Sequence, residues 1–164
     1  MRDGEYNDQV SRDLWGLIPA GQKRSAMQSE ASCEIDPEFL GFVAIYKNLT
    51  QIIPKHFTVI DFGCSYAPQC FLFSEHRSYV GVDLRDGFRF FAENTRHVTA
   101  PIIDFIDRGC DGLIDGPVFA ICSYVPNWHG ENRAKVRESF EHVFVYYTEP
   151  NPTNQIHKRG TENE

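Results

Sequence analysis

Apolar and polar positions fall into two alternating periods along this chain. Between Asp36 and Pro54, Phe39, Phe42, Val43, Tyr46, Leu49 and Ile53 recur at helical steps. Asp36 supplies an N-cap, Pro37 fits the first helical position, Glu38 suits the positive helix end and Pro54 stops the helix. The spacing then shortens into apolar, β-rich runs. FTVIDF (57–62), SYVGVDL (78–84), VFAICSYV (118–125) and FVYY (144–147) read as strands, with a further strand over 97–100. Helices are expected between them. One carries Cys70 to about His76, with Pro68 near its first turn; a second covers GFRFFAENT; an amphipathic one covers GENRAKVRESFEHV.

Strands alternating with helices predict an α/β fold, a Rossmann-like doubly wound sheet, mostly parallel, of about five strands with helices on both faces. Ligands in such sheets sit beyond the carboxyl ends of the strands, at the switch point between the first and fourth. This domain is expected over residues 36–150. Residues 1–35 are polar, with Leu14, Trp15, Leu17 and Ile18 as an apolar island, and read as an irregular segment or lid. Residues 151–164 read as a polar, frayed tail.

Composition narrows the classes. A chain of 164 residues suits one domain with one ordinary core. Its 41% hydrophobic and 24% charged content is that of a soluble globular protein. No apolar run approaches the ~20 residues that a membrane span needs, and the polar, acidic N-terminus excludes a secretory signal peptide. A net charge of -7 argues against wrapping nucleic acid by general electrostatics, although Lys23 with Arg24, and Arg133, Lys135 and Arg137, can support a local contact. The five cysteines are odd in number and form no CxxC pair, which predicts no metal site and a reducing, cytoplasmic setting.

The candidate chemistry lies in the turn after the first strand. Gly63 can bring backbone close to a ligand, and the small Ser65 and Ala67 keep that approach open. Asp83, twenty residues later at the end of the second strand, can accept hydrogen bonds from a vicinal ribose diol or simply cap the next helix. Asp61, two residues before the glycine, would repel a pyrophosphate, and GCSYAP lacks the third glycine of a dinucleotide fingerprint. Both points disfavour a nicotinamide-dependent oxidoreductase and suit a cationic adenosyl ligand.

VIDFGCSYA followed by VGVDL resembles the class I S-adenosylmethionine-dependent methyltransferases over roughly Asp36 to Pro150. The resemblance implies S-adenosylmethionine as cofactor, with Asp61, Gly63, Ser65 and Ala67 holding its methionine portion and Asp83 its ribose hydroxyls. It places Leu84 beside the adenine, and adds Asp104, beyond the third strand, and Cys122, ending the fourth, to the cofactor set. The chain departs from the family at Ser65 and Ala67, which stand where glycines are usual. It also lacks the usual C-terminal hairpin, so the substrate wall is reduced, or is supplied by the N-terminal segment or another subunit.

The family's substrate motif follows the fourth strand, here CSYVPNWH. Tyr124, Asn127 and His129 are the catalytic candidates, His129 because an unperturbed imidazole titrates near neutrality. Trp128 can stack on an acceptor or pack on the sheet edge. The expected activity is methyl transfer to an unassigned acceptor; the alternative is a non-catalytic binding or structural protein derived from the same fold.

Overall fold

The computed structural model describes residues 3–27, 37–122, 130–145 and 155–158. Among them run α1 (Asp3–Leu17), α2 (Ala20–Met27), α3 (Pro37–Ile52), β1 (Thr58–Phe62), a 3-10 turn (Pro68–Phe73), β2 (Ser78–Asp83), β3 (Thr95–Thr99), α4 (Ile102–Asp107), β4 (Val118–Cys122), α5 (Glu131–Ser139), β5 (His142–Val145) and β6 (Gln155–Lys158). The strands form one sheet in the order β3-β2-β1-β4-β5-β6. β1 to β5 are parallel, and β6 runs antiparallel beside β5. This is the expected doubly wound Rossmann-like arrangement, with its switch point between β1 and β4.

The period of two divides each strand between two apolar layers. Val59, Tyr79, Phe119 and Ile121 face Val10 and Leu14 of α1 and Val43, Tyr46 and Leu49 of α3. Ile60, Phe62, Val80, Val82, Ala120 and Cys122 face the opposite layer, with Phe105 of α4 and Val136 of α5. All five residues of β1 are buried, as a central parallel strand requires.

Several expectations need correction. The N-terminal segment is not irregular: it folds as α1 and α2. Val10, Leu14 and Ile18 lie at four-residue steps, and burying that stripe against α3 stabilises a segment whose polar composition hides it. The helix after β1 is only the 3-10 turn over Pro68–Phe73 and stops short of His76. No helix covers GFRFFAENT, because its backbone is held elsewhere. The Arg89 and Phe90 N–H groups both donate to the Tyr66 carbonyl, and Phe88 and Phe91 close around the His97 ring. The third strand starts at Thr95 rather than at His97, and the fifth starts at His142 rather than at Phe144. The five parallel strands stand, but the tail is not wholly frayed, since Gln155–Lys158 adds a sixth strand to the edge. No helix among the described residues is long and apolar enough to cross a membrane.

Candidate functional site

The turn leaving β1 carries three left-handed residues at alternate positions: Gly63 at φ 77°, Ser65 at φ 53° and Ala67 at φ 62°. Glycine adopts this conformation freely, whereas an L-residue gives up ~1–2 kcal/mol. The turn therefore keeps a glycine-rich loop's backbone path with side chains that resist it. Ser65 is exposed, so its strain is relieved without opening a cavity. Ser65→Gly is expected to raise the melting temperature by about 2–4 °C, measured by circular dichroism. A drop would mean that the hydroxyl has a stabilising role.

Asp83 ties this turn to the end of β2. One carboxylate oxygen accepts the Ser65 N–H at 2.9 Å and the other the Arg85 N–H at 3.0 Å. The main chain reinforces the junction, because Gly63 N–H donates to the Val82 carbonyl at 2.8 Å. The half-buried carboxylate opens on a pocket of about 220 Å³ lined by Ser65, Tyr66, Asp83, Arg85, Gly87 and Arg89. Leu84, the next residue, is 72% exposed, an apolar side chain left uncovered beside a polar pocket.

Asp61 occupies a different place. It lies on the α3 side of β1 with no exposed surface. Tyr46 donates to one of its oxygens at 3.0 Å, while Gln69 at 2.9 Å and Tyr79 at 2.5 Å donate to the other. Burial outweighs these three hydrogen bonds and pushes its pKa up to about 6. The Gln69 amide also donates to the Cys64 carbonyl at 3.0 Å, so this carboxylate braces the turn from beneath rather than lining the pocket.

The structure thus brings Ser65 and Asp83 together at the pocket and places Gly63 and Ala67 in the same turn. It does not bring in three others from the expected cofactor set. Asp61 is under the turn; Cys122 is buried on the opposite sheet face; Asp104 is exposed in the first turn of α4. Tyr124, Asn127 and His129 lie outside the described residues. Burial holds the thiols of Cys64 and Cys122 well above their ordinary range and pushes those of Cys70 and Cys110 up to about 11, so these four are protonated, unreactive core groups. Among the described residues no cluster of His, Cys, Asp or Glu could hold a metal ion.

Sequence reasoning missed Tyr46, Gln69 and Tyr79 around Asp61, and Tyr66, Arg85 and Arg89 at the pocket. A signal existed for one of them. Counting back by twos from Asp83 puts Gly81 and Tyr79 on one face of β2, beside Asp61 of the neighbouring strand.

No family model matches the chain, and no curated protein does. Solved structures that it resembles include a candidate type II methyltransferase from Anaeromyxobacter dehalogenans, 19% identical over 63% of this chain and 47% of that one, with a TM-score of 0.44. An rRNA methylase from Streptococcus thermophilus is 15% identical over 65% of this chain and 72% of that one, at 0.43. A Burkholderia thailandensis 1,6-didemethyltoxoflavin-N1-methyltransferase, solved with S-adenosylhomocysteine, is 16% identical over 72% and 60%, at 0.44. The chain thus spans about half the length of the first of these. The superpositions are loose, and the binding capacity of the site rests on its own residues.

Proposed function

We propose that this domain binds S-adenosylmethionine at the carboxyl ends of β1 and β2 and transfers its methyl group to an acceptor still to be identified. The observation that carries this reading is the Asp83 carboxylate at the end of β2, held to a turn with three left-handed residues and opening on a pocket. When bound, the cofactor supplies an activated methyl for in-line transfer to a nucleophile.

The residues present suit it. Each Asp83 oxygen has a further lone pair beyond its backbone partner and can accept a ribose hydroxyl. Gly63 and exposed Ser65 bring backbone close to the methionine portion, and fully buried Ala67 shapes the turn that carries them. Exposed Leu84 offers an apolar contact to the adenine. At about 220 Å³ the pocket is smaller than the ~300 Å³ of an ordinary ligand cleft, so it suits the ribose and leaves the rest of the cofactor along the open turn. The buried charge of Asp61 lies beneath the turn and favours a cationic over an anionic group above it. The chain's contribution to rate is to hold donor and acceptor at near-attack distance. Free, buried thiols at Cys64, Cys70, Cys110 and Cys122 suit a cytoplasmic location.

Calorimetric titration with S-adenosylhomocysteine tests the site. Micromolar binding is expected in the wild type, weakened about 30-fold or more in Asp83→Asn through loss of charge-assisted hydrogen bonds. If Asp83→Asn keeps its fold by circular dichroism and binds as tightly as the wild type, Asp83 is not the ribose acid. Binding without turnover is the second reading. It is favoured by the shrinkage of the helix after β1 to the short 3-10 segment Pro68–Phe73, and would appear as bound cofactor that no acceptor consumes.

A further inference from the structure

The pocket beside Asp83 holds charge that a ribose leaves unused. Its lining residues include one acid, Asp83, and two arginines, Arg85 and Arg89, in a chain of net charge -7. Among the described residues Asp83 forms no ion pair with either arginine; its oxygens accept the Ser65 and Arg85 backbone N–H groups. The Arg85 side chain makes no ion pair or hydrogen bond with another described residue. Arg89 sits over the Tyr66 ring, 5.8 Å from its centroid. A cation–π contact of this kind does not use up the guanidinium's N–H donors, which can still meet an anion.

The segment presenting these arginines is anchored on three sides. The Gln22 side chain of α2 exchanges two hydrogen bonds with the Phe91 backbone, both 2.8 Å. His97 of β3 donates to the Phe90 carbonyl at 2.8 Å and stacks on Phe88 with centroids 4.3 Å apart. The Tyr66 carbonyl accepts the N–H groups of Arg89 and Phe90. A helix normally fills this position between the second and third strands of a doubly wound sheet. Here Phe88 and Phe90 help to fix an irregular segment, which carries two of the pocket's lining residues, Arg85 and Arg89. Asp86, between them, is exposed and does not line it.

We propose that Arg85 and Arg89 form a phosphate subsite beside the ribose position. The proposal rests on Asp83 taking the ribose. A guanidinium fork matches two phosphate oxygens at once, and the pre-held Arg89 loses little freedom on binding. The phosphate is carried by the nucleoside itself, as a 2′- or 3′-monoester that leaves one hydroxyl for Asp83, or belongs to a separate anion lodged beside it.

Calorimetry on the full chain separates these sources. The ligands are adenosine, adenosine 2′-phosphate, adenosine 3′-phosphate, adenosine in saturating inorganic phosphate, and S-adenosylhomocysteine. The subsite requires that at least one phosphate-containing condition tighten binding tenfold or more over adenosine alone. The gain should shrink as salt is raised from 50 to 300 mM and vanish in Arg85→Gln/Arg89→Gln. A gain confined to the monoesters assigns a phosphorylated nucleoside; a gain from inorganic phosphate assigns a separate anion. No gain in any condition, or a gain that survives the double substitution, overturns the subsite. Binding of S-adenosylhomocysteine without a phosphate gain retires the subsite and keeps the adenosyl reading. A phosphate gain without S-adenosylhomocysteine binding keeps the subsite and retires the methyl-transfer reading.

Discussion

Gly81→Ala is expected to disrupt the pocket although residue 81 does not line it. A methyl group there would lie 2.4 Å from His97 Nδ1, 2.9 Å from His97 Cε1 and 2.8 Å from Cys64 Sγ. Neither neighbour can swing away. The His97 ring is stacked on Phe88, met edge-on by Phe91 and Tyr79, and tied through Nε2 to the Phe90 carbonyl. Cys64 is buried in the turn. Overpacking of this kind costs ~1–3 kcal/mol or more, which lowers the melting temperature by about 5–10 °C. Because His97 anchors the segment presenting Arg85 and Arg89, ligand binding should fail in the same variant. Thermal melting followed by near-ultraviolet circular dichroism reads the first effect and calorimetry the second. His97→Ala should partly rescue the Gly81→Ala melt by making room, whereas additive losses would show that the two sites are not in conflict.

The second large effect concerns Asp61. Replacing it by leucine removes the acceptor for Tyr46, Gln69 and Tyr79 at once and leaves three buried donors to find others. Each orphaned group costs ~1–3 kcal/mol, enough together to threaten a domain of ordinary stability. The pH dependence is the more diagnostic readout. The folded-state pKa is raised, to about 6 from 3.8, so the folded protein holds a proton that the unfolded chain releases between those values. Stability from this group therefore falls as pH rises from about 4 to about 6 and is level above. The total loss is roughly 3 kcal/mol, opposite in sign to that of a salt-bridged carboxylate. Asp61→Asn should flatten this contribution. Urea midpoints of wild type and Asp61→Asn at pH 4.5 and 7.5 measure it, and equal pH slopes would show that Asp61 ionises as freely as in the unfolded chain.

The strands at the switch point were legible because they are continuous apolar runs, which only a doubly covered parallel sheet can bury. Gly63 and Asp83 were legible for a similar reason, being breaks in such runs at the ends of adjacent strands. Asp61 was visible as a residue but not as a role. Its meaning depends on which sheet face it shares with Tyr79 and which helix supplies Tyr46, and both are tertiary facts. The segment after β2 was misread for the opposite reason. Phe88, Phe90 and Phe91 look like a crowded helix, yet their partners, His97 and the Tyr66 and Gln22 contacts, are distant in sequence. The first N-terminal helix escaped notice because its packing rests on Val10, Leu14 and Ile18, set among polar residues, and the second because its Gln22 docks on the Phe91 backbone through polar groups.

The returning strand β6 has a bearing on colloidal behaviour. Without it, β5 would present Val143, Phe144 and Val145, all buried, along an unpaired margin of backbone donors and acceptors. Such a margin is a template for another chain. The opposite margin, β3, is guarded by its own residues, since Arg96 and Thr99 are exposed and the strand is only five residues long. The sheet's two borders are thus protected by different means, one by its own charge and brevity and the other by a short cover strand. Solubility at the β5 border depends on whether β6 stays docked.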